Sequence, residues 1–349
     1  MYTQDTFDRS LDDLRRLMHS EMDSHYSSMF CSDGYNYNLA YHYTTIAGFQ
    51  SILTNGCLWA SNIHFLNDWL EYEEGKKLCI NTLKEFIISS DLSDIETKNM
   101  SEIINCLENE SAIDPYEWSI DNIFVTSFCA KSDLLSQWRG YGGESGISIG
   151  FDYSLLKSSL IIPYSKYKFA INNRIALYEK QPENSWIYET IPTEVKFIKV
   201  EYDSSINKKH FLNTFKNYVN AMKAIKDFKA YICASLLRQM FPAMKNNGFK
   251  EECELRLIAH YSDDDVVDIS YRLAGGILVP YINFRILDGH GNPYPTVLPI
   301  KDIVIGPGRN QENVLNSVIY FLKHQASPEL KGLSDLAKYV RKSDIPFNG

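Results

Sequence analysis

The sequence lacks any apolar run close to the ~20 residues that a membrane-spanning helix requires. Residues 1–17 carry acidic residues and arginines where a signal peptide has an uninterrupted apolar segment. These two absences predict a cytoplasmic protein that has no membrane among its partners.

Paired cysteines are also missing. The seven cysteines are scattered along the chain, and no two of them have the Cys-x-x-Cys spacing that is typical of zinc sites and redox motifs. Their odd number favours reduced thiols over a disulfide framework. We therefore expect no metal site, and no His or Asn motif marks any cysteine as a nucleophile.

Nucleotide-binding fingerprints are absent as well. The glycines at 140–150 match neither GxGxxG before a helix nor a P-loop with its Lys and Ser/Thr. A net charge of -9 and a pI near 5.4 argue against a broad nucleic-acid-binding face. A local basic groove is still compatible with these two values.

What the chain does contain is a succession of short strand patterns and helical patterns. At 349 residues the length allows two domains or one large unit, and no linker divides the chain. This order predicts the α+β class, with one mixed α/β body. We expect a helical extension over residues 1–38, a main domain over 39–325 with a helical insert near 81–118, and a C-terminal tail over 326–349.

The stretch 250–260, Lys-Glu-Glu-Cys-Glu-Leu-Arg-Leu-Ile-Ala-His, has strand periodicity in its second half. Glu254 and Arg256 then share one face, opposite Leu255 and Leu257. A surface ion pair of little energetic value would explain the two charges. The alternative is a carboxylate with a chemical role, which Arg256 keeps ionised, unless Arg256 itself binds a phosphate.

Residues 39–45 predict a strand that is followed by a helix, with Thr44 or Thr45 as the N-cap and Asn55-Gly56 as the stop. His42 lies in the middle of this strand. It is either a histidine whose hydrogen bonds are satisfied in the core or an imidazole that binds a ligand hydroxyl.

Trp138, Arg139 and Tyr141 fall within one turn after the predicted strand 123–129. They fit a packed corner. They equally fit a site in which an arginine holds a phosphate while an aromatic ring holds a base.

Nine stretches stand out in order along the chain: 41–45, 58–59, 65–68 with Glu71, 127–129, 138–141, 146–151, 252–256, 279–281 and 303–307. This ordered set resembles a bacterial family known as the domain of unknown function twenty-nine seventy-one, over roughly residues 39–322. No single motif is specific; the order of the set carries the resemblance.

That family is similar to the ADP-ribosyltransferases. The resemblance implies a split, mixed β core with helical elaborations, which clamps NAD as a substrate between two small sheets. It also implies a role in bacterial toxin or anti-phage defence systems, with a macromolecular acceptor and a neighbouring regulatory protein as partners.

The resemblance extends to residue roles in the His-Tyr-Glu branch. A first-strand His and a small hydroxyl residue bind the adenosine ribose there, and a late-strand Glu holds the nicotinamide ribose. His42 and Thr44 match the first position, and Glu254 matches the last. For the ring that stacks on nicotinamide, four positions stay open: Tyr43, Trp59, Phe128 and Tyr141.

Two further positions match only in part. Ser127 stands where arginine-directed relatives carry a strand serine, but this chain reads Thr-Ser-Phe at 126–128 instead of Ser-Thr-Ser. Glu252 and Glu254 resemble a carboxylate pair that orients the acceptor in some relatives. The two share a face only if the strand begins at Glu252.

The first functional hypothesis is thus an NAD-consuming enzyme, an ADP-ribosyltransferase or an NAD glycohydrolase. The alternative is a catalytically inactive nucleotide-sensing or partner-binding module on the same fold. A third option is metal-dependent hydrolysis at Asn67, Asp68 and Glu71, which helix capping explains equally well. On the first hypothesis, Glu254→Gln removes activity without disturbing the fold, and His42→Ala weakens dinucleotide binding.

Overall fold

The computed structural model describes residues 38–66, 70–109, 123–143, 145–158, 160–163, 169–171, 174–176, 195–224, 228–260, 269–287, 298–325 and 333–346. The helical extension predicted over residues 1–38 lies outside the described residues except for its last position.

The described strands are β1 (Leu39–Thr45), β2 (Cys57–Asn62), β3 (Ile123–Cys129), β4 (Gly146–Asp152), β5 (Leu160–Pro163), β6 (Phe169–Ile171), β7 (Arg174–Ala176), β8 (Val195–Lys199), β9 (Glu254–His260), β10 (Ser270–Ala274), β11 (Ile277–Leu287), β12 (Ile300–Ile305) and β13 (Val340–Lys342). The described α-helices are α1 (Ile46–Asn55), α2 (Leu70–Ser89), α3 (Asp94–Glu108), α4 (Leu135–Gln137), α5 (Tyr153–Ser158), α6 (Ser204–Ala224), α7 (Ala230–Met240), α8 (Gln311–His324) and α9 (Leu333–Leu336). A π-helical turn follows α4 at Trp138–Gly142.

Eleven of these strands form one sheet, in the order β10-β11-β2-β3-β1-β4-β12-β13. In addition, β5 pairs with β11, and β9 pairs with both β3 and β8. All described pairs in this sheet are antiparallel except β12 with β13, which is parallel. This mixture of an antiparallel sheet with helices confirms the predicted α+β class.

The sheet has a hydrophobic core on each face. One core packs α2, α3, α6 and α7 against side chains of β3 and β9, among them Val125 and Ile258. The other packs α1, α8 and α9 against the opposite face, where Phe128 and Leu257 lie. Alternation along each strand therefore decides which core a side chain enters.

Local sequence signals fixed the ends of the first helix. Thr45 Oγ1 accepts a hydrogen bond from the backbone N–H of Gly48 at 3.2 Å, which makes Thr45 the N-cap of α1. Gly56 ends the helix in the left-handed conformation, with φ 63°. The predicted strand, cap, helix and glycine stop are confirmed.

Two further segments each contain two elements. The segment 204–243 contains two helices, α6 and α7, and then a 3-10 turn at Phe241–Ala243. Residues 271–281 form a hairpin, because Gly275 and Gly276 both take positive φ values, 57° and 81°, as a two-residue turn requires.

The described residues beyond 325 pack against the main sheet. Leu333 and Leu336 of α9 are buried in the second core, and β13 adds a parallel strand to the sheet. Arg341 on β13 also binds Asp302 of β12, with Nη2 2.8 Å from Oδ2. The described part of the predicted tail therefore belongs to the same body.

Two of the predictions made from composition concern residues that the structure describes. The six cysteines that the structure describes are free thiols, and all but Cys253 are buried. Among the described helices, none has the length and the apolar character that crossing a membrane requires.

Candidate functional site

Glu254 and Arg256 point to the same face of β9, as the alternation predicts, and both are buried. Arg256 donates from Nε to Glu254 Oε1 at 2.8 Å and from Nη2 to Glu254 Oε2 at 2.9 Å. This bidentate geometry is the strong form of the pair. The surface-pair interpretation is excluded, because the two residues are 6% and 4% exposed.

Three more charged side chains join this pair. Arg256 Nη2 also donates to Glu71 Oε2 of α2 at 2.6 Å. Lys245 Nζ lies 2.9 Å from Glu71 Oε1, 2.8 Å from Glu252 Oε2 and 3.3 Å from Glu254 Oε2. We call these five residues the charge network: Glu71, Lys245, Glu252, Glu254 and Arg256.

Glu252 reaches this network from outside the strand. The strand begins at Glu254, and Glu252 ends a 3-10 turn at Asn247–Glu252, so the condition for a shared strand face is not met. Cys253 between them takes a left-handed conformation, with φ 46°. This turn nevertheless directs both carboxylates to Lys245.

The charge network holds three carboxylates and two cations. Burial alone would raise the pKa of the Glu254 carboxyl, but Arg256 and Lys245 outweigh it and lower that pKa to about 2. Burial raises the pKa of Glu71 despite the same two cations. Glu254 is therefore ionised at neutral pH, and Glu71 takes up a proton more readily than Glu254.

The sheet forks beside this network. One edge of β3 pairs with β9 from Ile123 to Cys129. On its other edge, within the described strands, β2 pairs only at Ser61 and Asn62, and β1 pairs only at Tyr41. We call the opening between β1 and β2, beside residues 126–128, the fork.

Side chains bridge the fork where strand pairing stops. Thr126 Oγ1 donates to the carbonyl of Trp59 at 2.9 Å. His42 Nδ1–H donates to the carbonyl of Ser127 at 2.9 Å, which leaves Nε2 as the acceptor of the ring. Burial lowers the pKa of His42 below its ordinary value of 6.5, and the nearby positive charge of Arg272 adds to this effect. The imidazole is therefore neutral at pH 7.

His42 and Glu254 both approach Ser127. The Ser127 carbonyl binds His42, and the Ser127 side chain is among the groups that lower the pKa of the Glu254 carboxyl. The His42 ring also packs edge-on against Phe128, with centroids 5.7 Å apart. The structure thus brings these three predicted residues together through Ser127.

Two of the four candidate stacking rings are unavailable to a ligand. Phe128 is 3% exposed and packs against Phe151 and Phe197. Tyr43 is 6% exposed, packs against Trp138 at 4.7 Å and donates its hydroxyl to the carbonyl of Lys131. Both rings lie inside packed clusters in this structure, so neither has a face open to a ligand.

The other two stacking candidates remain accessible. Trp59 is half-buried and packs against Tyr281 of β11, with centroids 4.9 Å apart. Tyr141 is 39% exposed on the π-helical turn, next to exposed Arg139, whereas Trp138 is buried. Trp59 adjoins the fork through its carbonyl bond with Thr126.

Thr44 packs against the first turn of α1. Its hydroxyl lies against Gly48 in the first turn of α1, where an added Cβ would collide with Oγ1. The side chain therefore occupies the space that the missing Gly48 side chain leaves.

Sequence reasoning missed the basic residue of the fork. Arg272 of β10 donates from Nη2 to Ser61 Oγ at 3.0 Å, and its buried Nε has no hydrogen-bond partner among the described residues. Ser61 lies directly opposite Tyr281 in the register of β2 and β11. The only sequence signal was one arginine in the short strand before Gly-Gly.

The third functional option has little support in the described residues. Asn67 and Asp68 lie outside them, and both oxygens of Glu71 contact cations of the charge network. No group of three or more His, Cys, Asp or Glu side chains suited to a metal ion occurs in the part of the chain that the structure describes.

Comparison with known proteins gives one match. No curated protein and no solved structure matches the chain significantly. Residues 137–257 match the model of a family described as a protein of unknown function, DUF2971. That segment contains Arg139, Lys245, Glu252, Glu254 and Arg256, and it supports the relation to this family of unknown function that the ordered stretches predicted.

Proposed function

We propose that the chain is an ADP-ribosyltransferase-like enzyme that cleaves the bond between nicotinamide and ribose in NAD, with the dinucleotide held at the fork. The single observation that carries the proposal is that His42 and Glu254 both approach Ser127 in the sheet. These residues come from three strands, β1, β3 and β9.

His42 supplies a neutral acceptor in this proposal. Its Nδ1–H is committed to the Ser127 carbonyl, so Nε2 can accept a hydrogen bond from a ribose hydroxyl. A neutral ring is the right state for this bond, because the imidazolium has no acceptor.

Arg272 and Trp59 supply the remaining contacts. The unpartnered Nε of Arg272 is a donor for a phosphate oxygen, and a phosphate accepts well from a guanidinium. The Trp59 and Tyr281 pair gives a ring or a base a surface on which to stack. Arg139 and Tyr141 remain a second candidate for these contacts.

Glu254 stabilises the charge that develops on the ribose. Loss of nicotinamide leaves an oxocarbenium-like ribose, and an ionised carboxylate favours that state over the ground state. The low pKa of Glu254 keeps it ionised, and Arg256 fixes its orientation. The bond that breaks is C–N, and the bond that forms joins C1 of the ribose to the acceptor or to water.

One observation favours the second candidate function, a module that binds a nucleotide without cleaving it. Both oxygens of Glu254 are already hydrogen-bonded to cations, and the residue is only 6% exposed. A carboxylate that holds the network together in this way has little capacity for a substrate.

Nicotinamide release separates the two functions. The purified protein is incubated with NAD, and free nicotinamide is measured by chromatography; adenylate-labelled NAD in a bacterial lysate then reveals an acceptor. Nicotinamide formation supports the enzyme. NAD binding by calorimetry without any release supports the module, and neither release nor binding refutes both.

Variants connect the reaction to the fork. Ser127→Ala and Arg272→Met should each reduce turnover or NAD binding, whereas Lys301→Met, which removes an exposed cation from β12, should change neither. Glu254→Gln requires a stability measurement alongside, because the structure revises the expectation of an undisturbed fold: the substitution removes a charge that two buried cations contact.

A further inference from the structure

A second candidate site lies beside the charge network, on the side away from β9. A cavity of about 240 Å³ opens beside the network and is walled in part by α2 and α6. Glu71, Glu74, Tyr202, Asn207 and Lys245 contribute polar groups to its wall. This volume suits a small molecule, since a water molecule occupies about 30 Å³ in the liquid.

Asn207 gives this cavity an unused acceptor. The residue is 3% exposed, and its Oδ1 has no hydrogen-bond partner among the described residues. A buried polar atom without a partner is costly, so native proteins satisfy it with a protein group, an ordered water or a ligand. Oδ1 requires a donor, and a ligand in the cavity can provide it.

The charges of the wall determine the sign of the ligand. Lys245 is the only cation among the wall residues named above, and its Nζ already contacts three carboxylates. Glu74 is exposed at the mouth, where Asn246 Nδ2 donates to its Oε2 at 3.4 Å. With Glu71 and Glu74 in the wall and an excess carboxylate in the network, the cavity favours a cation that carries N–H donors.

We propose that this cavity binds the ammonium or guanidinium group of a small organic cation, with Asn207 Oδ1 and Glu74 as acceptors. The site is distinct from the fork, and the proposal stands independently of NAD cleavage. Lys245 and Tyr202 connect the two candidate sites, because each of these residues contacts both the cavity and Glu254.

Agmatine is a suitable probe, because it carries a guanidinium at one end of a four-carbon chain and an ammonium at the other. Its binding to the full chain is measured by calorimetry at low ionic strength, with sodium chloride of equal ionic strength as the reference.

N-acetyl-arginine amide carries the same guanidinium on a peptide backbone. Binding of agmatine alone assigns the site to a free amine, and binding of the peptide compound assigns it to an arginine side chain. If neither binds, the proposal is wrong.

Asn207→Leu gives a test with two readouts of opposite sign. Leucine has a similar size and removes the unpaired acceptor, so the melting temperature of the free protein should stay the same or rise. Agmatine affinity should fall by about tenfold or more, the effect of one lost charge-assisted hydrogen bond. A variant that binds agmatine as well as the wild type would overturn the role of Asn207.

The charge of the mouth is tested with a matched pair of substitutions on one helix. Glu74→Gln should weaken agmatine binding, whereas Glu73→Gln removes the same charge from the neighbouring position, which does not line the cavity. Equal losses in the two variants would mean that the general negative charge of the protein, and not this cavity, attracts the cation.

Discussion

At the scale of single residues, burial decides what each charge can do. Glu254, Arg256 and Lys245 are almost inaccessible, so each one depends on the others for its solvation. The ion pair of Lys208 and Glu85, by contrast, is about half-exposed. The two kinds of pair look alike in a sequence but differ in energy, because water solvates an exposed charge whose partner is removed.

Lys245→Met should therefore destabilise the protein by about 3–5 kcal/mol, because it leaves three carboxylates, two of them buried, with one cation. Lys208→Met, the matched control on an exposed pair, should cost at most about 1 kcal/mol. Urea unfolding followed by circular dichroism measures both. The loss in the Lys245 variant should be smaller at pH 5, where the excess carboxylate can take up a proton; equal losses for the two lysines would contradict a buried network.

The neutral state of His42 gives a second prediction at this scale. Its pKa lies below 6.5 in the folded protein because of burial, so the folded state binds a proton less readily than the unfolded chain. Stability should consequently fall as the pH decreases through 6.5 toward the folded pKa, and a His42→Gln variant should lack this component. Nitrogen NMR should show the proton on Nδ1. A His42 resonance that titrates at or above 6.5 would disagree with a buried, neutral imidazole.

At the scale of elements, two glycines with close neighbours hold in place the turn that carries Arg139 and Tyr141. A Cβ at Gly306 would lie 2.8 Å from the ring of Trp138, and one at Gly146 would lie 2.5 Å from the backbone of Gly142. The two glycines allow the π-helical turn to pack directly on β4 and on the residue that follows β12. Trp138 is fixed further by the hydrogen bond from its Nε1 to Asp133 at 2.7 Å.

Gly306→Ala should displace Trp138 and destabilise the protein by about 1–3 kcal/mol, the usual cost of overpacking. Gly140→Ala is the matched control, since an added Cβ at this position of the same turn meets nothing within 4 Å. Near-ultraviolet circular dichroism and the melting temperature report the two effects. An unchanged tryptophan signal in the Gly306 variant would show that the turn adapts without displacement.

At the scale of the whole molecule, one forked sheet separates two cores and places the candidate sites between them. Helices α2, α6 and α7 cover the face that carries the charge network, whereas α1, α8 and α9 cover the other face. The last described segment completes the second core, with Leu333 and Leu336 2% and 4% exposed. The C-terminal segment is thus a structural part of the body and not an appendage.

Truncation after residue 325 should expose the edge of β12 and this core, and it should lower the melting temperature strongly or cause aggregation. A synthetic peptide of residues 326–349 added in trans should restore part of the lost stability. Lys338→Ala, a single change within the same segment, serves as the mild control. A truncated chain with the melting temperature of the full chain would show that β13 contributes nothing to the fold.

The sequence by itself determined the local features: strand and helix periodicity, the Thr45 cap, the Gly56 stop, and the shared face of Glu254 and Arg256. These depend on residues close in the chain, whose spacing sets which way a side chain points. Only the tertiary structure decided that Glu71 and Lys245 join Glu254, that Arg272 lies near His42, and that Phe128 and Tyr43 are inaccessible. Contacts between residues as distant as Glu71 and Arg256 depend on how the strands are ordered in the sheet. Burial makes the loss of one charge from this network strongly destabilising, because water cannot solvate the partner that remains.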